Sequence, residues 1–113
     1  MEVIESAGRY SAPEGAEKNH WIEHLRVPDL SVGTYSVPGG GSDDQSPHSE
    51  DEIYVVTQGS ARLVAGDEAA DVAPGSVVYV PAGEEHRFVD LAEDFAVVVL
   101  FAPAEYSRST QVG

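Results

Sequence analysis

The chain has 113 residues, of which 42% are hydrophobic, and its 20 acidic and 6 basic residues give a formal net charge of −14. A chain of this length forms one domain with one core. Its strong negative charge argues against nucleic acid or an anionic membrane as a partner, because both require a positive surface. The sequence contains no cysteine, which excludes disulfides, thiolate catalysis and thiolate zinc sites.

The sequence also indicates where the protein resides. The longest apolar run is Phe95–Ala102, much shorter than the roughly 20 residues that a bilayer-spanning helix needs. The first ten residues lack both a basic leader and an apolar stretch, so they do not form a secretory signal, and we expect a cytoplasmic protein. The acidic excess fits either a solvated surface that aids solubility or a salt-rich cytoplasm that screens the repulsion among carboxylates. Both interpretations remain open.

The order of apolar runs and turn residues predicts an all-β domain with almost no helix. Residues 1–19 lack periodicity and are predicted to form an N-terminal arm, residues 20–103 a barrel, and residues 104–113 a C-terminal tail. Such arms become ordered by packing on a neighbour. Glycine, proline, aspartate and serine clusters separate the predicted strands, which are Trp21–Val27, Ser31–Val37, Ile53–Gln58, Ala61–Ala65, Ala69–Val72, Ser76–Val80, His86–Asp90 and Phe95–Phe101. This spacing is typical of a sandwich, barrel or jelly roll.

Two of these strands are apolar on both faces, namely the runs 53–56 and 95–101. An antiparallel sheet with one wet side would instead alternate apolar and polar residues. A domain this small has no third layer to cover the second face. We therefore predict a homodimer in which a partner covers it.

The first candidate site residues lie in an acidic loop that leads into the third predicted strand. His48 and Glu52 are four residues apart, and an even spacing in an extended segment places both side chains on one face. Tyr54 and Val56 continue that face toward the core. Imidazole and carboxylate groups on an inward face can bind a divalent metal, although such a pair in an acidic loop is also compatible with a solvated ion pair.

The second candidate residue follows a turn between two strands. Pro81 and Gly83 favour a tight turn, and His86 comes where the next strand begins. A histidine at that position can point back into the space between the sheets. Trp21 is interpreted as a core or dimer anchor, and His20 and His24 as surface or interface residues.

These two stretches together resemble the paired motifs of the cupin superfamily. The first stretch follows the family's spacing at Gly40, position 46, His48, Glu52 and Gly59, and the second follows it at Gly75, Pro81, Gly83, His86 and position 90. Two positions depart from the pattern. Ser46 stands where the family has its first histidine, and Asp90 stands where it has asparagine.

The resemblance implies a conical jelly-roll barrel, commonly dimeric, whose pocket holds one divalent ion of iron, manganese, nickel, zinc or copper. Carried over to this sequence, the ligands are His48, Glu52 and His86, with Ser46, Tyr54 and Val56 lining the pocket. Since Ser46 is a poor ligand, three outcomes stay open. The ion is held by these three residues alone; or an oxygen ligand is added, either Gln45 or one of Asp43, Asp44 and Glu50; or the pocket binds an organic ligand without metal.

Two functions follow from these outcomes. One is a mononuclear metalloenzyme of the dioxygenase or isomerase type that acts on a small polar metabolite. The alternative is a non-catalytic module that binds or senses a small molecule or a metal. A serine hydrolase has no support, because no serine is paired with a base.

Overall fold

The computed structural model describes residues 1–108, and all regular structure within them is β-strand. The strands are β1 (His20–Val27), β2 (Leu30–Val37), β3 (Asp51–Gln58), β4 (Ala61–Ala65), β5 (Glu68–Val72), β6 (Val77–Val80), β7 (Arg87–Val89) and β8 (Phe95–Ala102). They form a five-stranded sheet in the order β1-β2-β8-β3-β6 and a three-stranded sheet in the order β5-β4-β7. Every pairing is antiparallel. No helix that could cross a bilayer occurs in this part of the chain.

This architecture is the predicted all-β jelly roll, and each predicted strand is found within two residues of its expected bounds. The predicted parity of β3 is also correct. Glu52, Tyr54 and Val56 are buried on one face, whereas Ile53 on the other face is 37% exposed. The five-stranded sheet therefore turns one face of β3 toward the interior, and that face carries a carboxylate at its beginning.

The core fills the space between the two sheets. Phe88 from the small sheet stacks against Tyr54 and Phe95 of the large sheet, with ring centroids 4.9 Å and 4.8 Å apart. Tilted and edge-on arrangements of this kind are favourable for aromatic pairs. Tyr54 thus has its ring in the core, while its hydroxyl extends toward one end of the barrel.

The N-terminal arm packs on the outer face of the large sheet of its own chain. The Gly8 N–H donates to Thr34 Oγ1 at 2.8 Å, and the Thr57 hydroxyl donates to the Gly8 carbonyl at 2.6 Å. Ala96, on the outer face of β8, is fully buried. Part of the cover that we expected from a neighbour is therefore supplied by the chain itself, because polar side chains of β2 and β3 capture the main chain of the arm.

Candidate functional site

Main-chain contacts bring the two motif segments together at one end of the barrel. The Gly83 N–H, in the turn after β6, donates to the His48 carbonyl at 2.8 Å. The neighbouring Ala82 N–H donates to Asp51 Oδ1 at the same distance. These bonds join the turn that precedes His86 to the loop that precedes β3.

The three predicted ligands meet at this junction. His86 Nε2 lies 2.8 Å from Glu52 Oε1, and His48 Nδ1 lies 3.8 Å from the same oxygen. The side chains of His86 and Glu52 are each only 1% exposed, and that of His48 is 12% exposed. The convergence expected from residue spacing is therefore present, with the Glu52 carboxylate between the two imidazoles.

His86 is held by acceptors at both ring nitrogens. Its Nδ1–H donates to the Glu84 carbonyl at 2.8 Å, while Nε2 faces Glu52. Burial lowers the pKa of the His86 imidazole, but the hydrogen bonds to Glu52 and to the Glu84 carbonyl outweigh burial, so the net shift is upward. The ring orientation is thus fixed by a main-chain carbonyl, which leaves Nε2 directed at the site.

His48 has a matching arrangement with a different outer partner. Its Nε2–H donates to Glu105 Oε2 at 3.0 Å. Nδ1, on the opposite side of the ring, faces Glu52 and is buried without a hydrogen-bond partner. A carboxylate that orients a histidine from behind is a common feature of metal centres.

The donor set fits a divalent ion in its chemistry. Two buried atoms at the site lack a partner, His48 Nδ1 and Glu52 Oε2, and unsatisfied buried polar atoms are rare in folded proteins. Imidazole and carboxylate ligands suit the first-row divalent metals. Within residues 1–108, however, no three His, Cys, Asp or Glu side chains are already arranged around a common metal position. Glu52 Oε1 instead pairs with His86, and an ion would have to replace that bond.

Gln45 lies beside the cluster, as the sequence suggested for an additional ligand. Its Nε2 donates to Asp43 Oδ2 at 2.9 Å, so its Oε1 faces the Tyr54 hydroxyl at 3.3 Å. The Tyr54 hydroxyl is also 2.8 Å from His86 Nε2. Burial, followed by the nearby Glu52 and Asp43 carboxylates, raises the pKa of Tyr54 well above its usual value, so the phenol keeps its proton.

Other predicted positions lie elsewhere. Ser46 is exposed and is not part of the cavity wall, and Val56 belongs to the core below the cavity. The three acids considered as extra ligands are engaged in other contacts. Asp43 accepts bonds from the Tyr35 hydroxyl and the Phe88 N–H, Asp44 pairs with Lys18, and Glu50 holds main-chain N–H groups near the C-terminus.

A cavity of about 220 Å³ opens beside His48 and Glu52, and His86 is not part of its wall. Its wall is mostly aromatic around a few polar groups, and is formed by Trp21, Tyr35, Gln45, His48, Glu52, Tyr54, Val99, Phe101, Glu105 and Tyr106. A larger and more open cleft of about 470 Å³ lies at Gln45 and His86 but reaches neither His48 nor Glu52. The smaller cavity is therefore the candidate binding site.

Sequence reasoning interpreted Tyr35 as core or pocket lining, and it does line the cavity, but other wall residues were missed. Trp21, interpreted as a core or dimer anchor, is 37% exposed and lines the cavity, edge-on to Phe101 at 6.2 Å. Phe101 could have been found from strand parity, because it shares a face with buried Val99. Glu105 and Tyr106 carried no such signal, because they follow the last strand in a segment that we predicted to be a tail.

Glu50 holds residues 105–108, the segment that follows the last strand, over the cavity by hydrogen bonds. Its fully buried carboxylate accepts hydrogen bonds from the Tyr106 N–H at 2.7 Å and from the Arg108 N–H at 2.8 Å. Burial raises the pKa of Glu50, but the hydrogen bonds from the Ser49 hydroxyl and from these two N–H groups lower it by more. The pKa therefore lies below its usual value. The tail prediction for residues 109–113 lies outside the described residues.

Comparison with protein families gives a direct match. Residues 33–103 match the family model described as the cupin domain. The uncharacterized protein SCO3923 of Streptomyces coelicolor is 44% identical to this chain over 94 residues, which cover 83% of this chain and 90% of that protein.

Solved structures show the same fold. TT1209 from Thermus thermophilus superposes with a TM-score of 0.74 at 24% identity, covering 92% of this chain and 99% of that one. KdgF from Halomonas sp. gives a TM-score of 0.71 at 25% identity over 80% and 84% of the two chains. A cupin superfamily protein from Desulfitobacterium hafniense gives 0.69 at 19% identity over 80% and 83%.

Proposed function

Because this chain belongs to the cupin family, we propose that it binds one divalent metal ion at His48, Glu52 and His86 and takes a small molecule into the cavity beside the ion. Two imidazoles and one carboxylate leave coordination positions for water or ligand oxygens, as in the three-residue sites of non-haem iron oxygenases. Iron, manganese, nickel, zinc and copper all suit these donors. Gln45 Oε1 is the nearest candidate for an additional oxygen ligand.

The observation that supports this proposal is the pair of buried, unpartnered atoms on two of the three ligands, His48 Nδ1 and Glu52 Oε2. Leaving such atoms unsatisfied costs about 1–3 kcal/mol each. An ion between them would satisfy both. The outer partners, the Glu105 carboxylate and the Glu84 carbonyl, each bind the ring nitrogen that is turned away from Glu52, which supports the proposal.

When bound, the ion would supply a Lewis acid that polarises a ligand oxygen. The chain's own residues would do the rest. Tyr54 keeps its proton and would redirect its hydrogen bond from Gln45 to a ligand, and the aromatic side chains of the wall would pack against that ligand. Turnover of the dioxygenase or isomerase type is the catalytic form of this proposal, and simple binding is its non-catalytic form.

Metal content tests the proposal. Protein prepared without added metal, and protein loaded separately with each of the five metals and then dialysed, is analysed by elemental mass spectrometry. We expect close to one ion per chain for the most tightly held metal. The ion should disappear in His48→Ala and Glu52→Ala while circular dichroism shows that both variants stay folded. His20→Ala is the matched control, because His20 pairs with Glu17 outside the site and its loss should leave the metal content unchanged.

If no metal is retained after any loading, or if Glu52→Ala retains it in full, the metal proposal is wrong. The metal-free binding module then becomes the better function. One feature of the structure favours that alternative, namely the direct hydrogen bond between His86 and Glu52 at 2.8 Å, which already pairs two of the three ligands.

We further propose that a second copy of the chain covers the outer face of β3 and β6. Ile53 pairs with Tyr79 and Val55 with Val77 across these strands, and the side chains of Val77 and Tyr79 are 65% and 60% exposed. The arm of the same chain covers β2, β8 and the Thr57 end of β3, so the apolar face beyond it remains open at the edge strand β6. Exposed apolar patches of this kind mark interaction surfaces.

Sedimentation velocity tests the dimer. We expect the wild-type chain to sediment as a dimer and Val77→Lys to sediment as a monomer, because a buried lysine without a partner is costly at an interface. Val27→Lys is the matched control. Val27 is 42% exposed at the opposite edge strand, so it receives the same charge without touching the proposed interface. A monomeric wild type, or a dimeric Val77→Lys, would contradict the proposal.

A further inference from the structure

The buried carboxylates of the described chain all gather around the cavity. Within residues 1–108 the buried acids are Asp43, Glu50, Glu52 and Glu105. Glu52 and Glu105 line the cavity directly. Asp43 accepts a hydrogen bond from the hydroxyl of Tyr35, a wall residue, and Glu50 accepts one from the N–H of Tyr106, another wall residue. In each of these hydrogen bonds the carboxylate oxygen of Asp43 or Glu50 is the acceptor.

No lysine or arginine side chain balances this charge within the cavity wall, which lies wholly in the described part of the chain. Lys18 pairs at the surface with Asp44 at 2.8 Å. Arg26 pairs with Glu23 at 2.7 Å, and its remaining contact is with the main-chain carbonyl of Glu105. In a formal count with both histidines neutral, four carboxylates and one divalent ion of charge +2 leave a net charge of −2 around the cavity.

The remaining wall suits a cation with an apolar body. Trp21, Tyr35, Phe101 and Tyr106 line the cavity, and the faces of aromatic rings attract cations, most strongly where water is excluded. A volume of about 220 Å³ corresponds to roughly seven waters at about 30 Å³ each, which restricts the ligand to a small molecule. One carboxylate oxygen, Glu52 Oε2, is buried there without a partner.

We propose that this cavity selects a small protonated organic amine with an apolar or aromatic body and excludes carboxylates and phosphates. An anion entering the cavity would lose its hydration and meet like charges, whereas an ammonium group would gain carboxylate partners and aromatic faces. This inference deepens the proposed function and rests on its small-molecule part. It does not require the metal, because the cavity is negative with or without the ion.

The inference is tested with three probes of matched size, benzylamine, benzyl alcohol and benzoate. Trp21 is the single tryptophan of the chain and lies in the cavity wall, so its fluorescence reports occupancy. Titrations are made at one ionic strength on metal-stripped protein and, separately, on metal-loaded protein. We expect benzylamine to bind at least about tenfold more tightly than benzoate, with benzyl alcohol between them.

Two variants that each remove one negative charge distinguish the effect of the cavity carboxylates on benzylamine affinity from the effect of the chain's overall negative charge. Glu105→Gln removes a cavity carboxylate and should reduce benzylamine affinity about threefold to tenfold. Glu68→Gln removes an exposed carboxylate on β5 and should change it less than about twofold. Benzoate binding as tightly as benzylamine, equal effects of the two variants, or no binding of any probe would each overturn the inference. The metal-stripped titration keeps this outcome independent of metal content, since a chain that holds no ion can still show the selectivity.

Discussion

Replacing Glu50 with alanine is expected to lower the free energy of unfolding by about 3 kcal/mol and to release the segment that closes the cavity. The Glu50 carboxylate accepts the Tyr106 and Arg108 N–H groups at 2.7 Å and 2.8 Å. Hydrogen bonds to charged groups contribute about 1.5–3 kcal/mol each. The loss of two such bonds is partly offset, because water can reach the freed N–H groups once the segment moves away.

Urea unfolding measures the stability change, and hydrogen exchange of the Tyr106 and Arg108 amides measures the local release. Glu50→Gln should lie between the wild type and Glu50→Ala, because an amide oxygen still accepts one of the bonds. Glu85→Ala, at an exposed acid, is the control for the charge alone and should stay within about 0.5 kcal/mol of the wild type. If the two amides keep their protection in Glu50→Ala, another contact holds the segment.

The strands could be predicted from sequence because their signals are local. In β3, Glu52 is followed by a continuous apolar run, and a period of two dictates which of these side chains share a face with Glu52. The burial of Glu52, Tyr54 and Val56 follows from that parity together with one covered face. The prediction that a partner covers β8 was incomplete for a different reason, because the arm that buries Ala96 is irregular and carries no periodic signal.

The convergence of His48, Glu52 and His86 could also be predicted, but from motif spacing rather than from local chemistry. The physical reason appears only in three dimensions, where the Gly83 N–H bonds to the His48 carbonyl and draws the two segments together. Asp90 shows the same limit. It stands in place of the family's asparagine and has a φ of 57°, a backbone conformation that both residues tolerate better than most.

The contribution of Glu105 to the site could not be predicted from the sequence. This residue lies 57 positions from its partner His48, in a segment without strand pattern, and its placement depends on the Ser31 hydroxyl accepting the Glu105 N–H at 2.9 Å. Position 46 does not supply a ligand in place of the family's histidine: Ser46 is exposed, and its neighbour Gln45 lines the cavity instead. The cytoplasmic location and the choice between the two interpretations of the acidic surface stay predictions.

The glycine that ends the first motif should be among the least replaceable positions of the chain. Gly59 has a φ of +75°, and a Cβ there would lie 2.4 Å from the carbonyl oxygen of Asp94, just before β8. The positive φ costs an alanine about 1 kcal/mol. The contact costs more, because the atoms that the new Cβ would meet belong to the main chain of Asp94 and Phe95. Phe95 begins β8, the central strand of the sheet, so these atoms cannot easily move aside. We expect Gly59→Ala to lower the free energy of unfolding by about 3 kcal/mol.

Gly66→Ala measures the cost of the backbone strain alone, without the steric contact that Gly59→Ala adds. Gly66 also has a positive φ, +61°, but a Cβ there would meet nothing within 4 Å, so we expect a loss of only about 1 kcal/mol. Denaturant unfolding of the two variants gives the difference directly. Equal losses would mean that β8 shifts to admit the methyl group at no cost. A larger loss at Gly59 would show that the motif ends in glycine because the β3–β4 turn must pass against the start of β8, which in turn holds β3 and Glu52 in register.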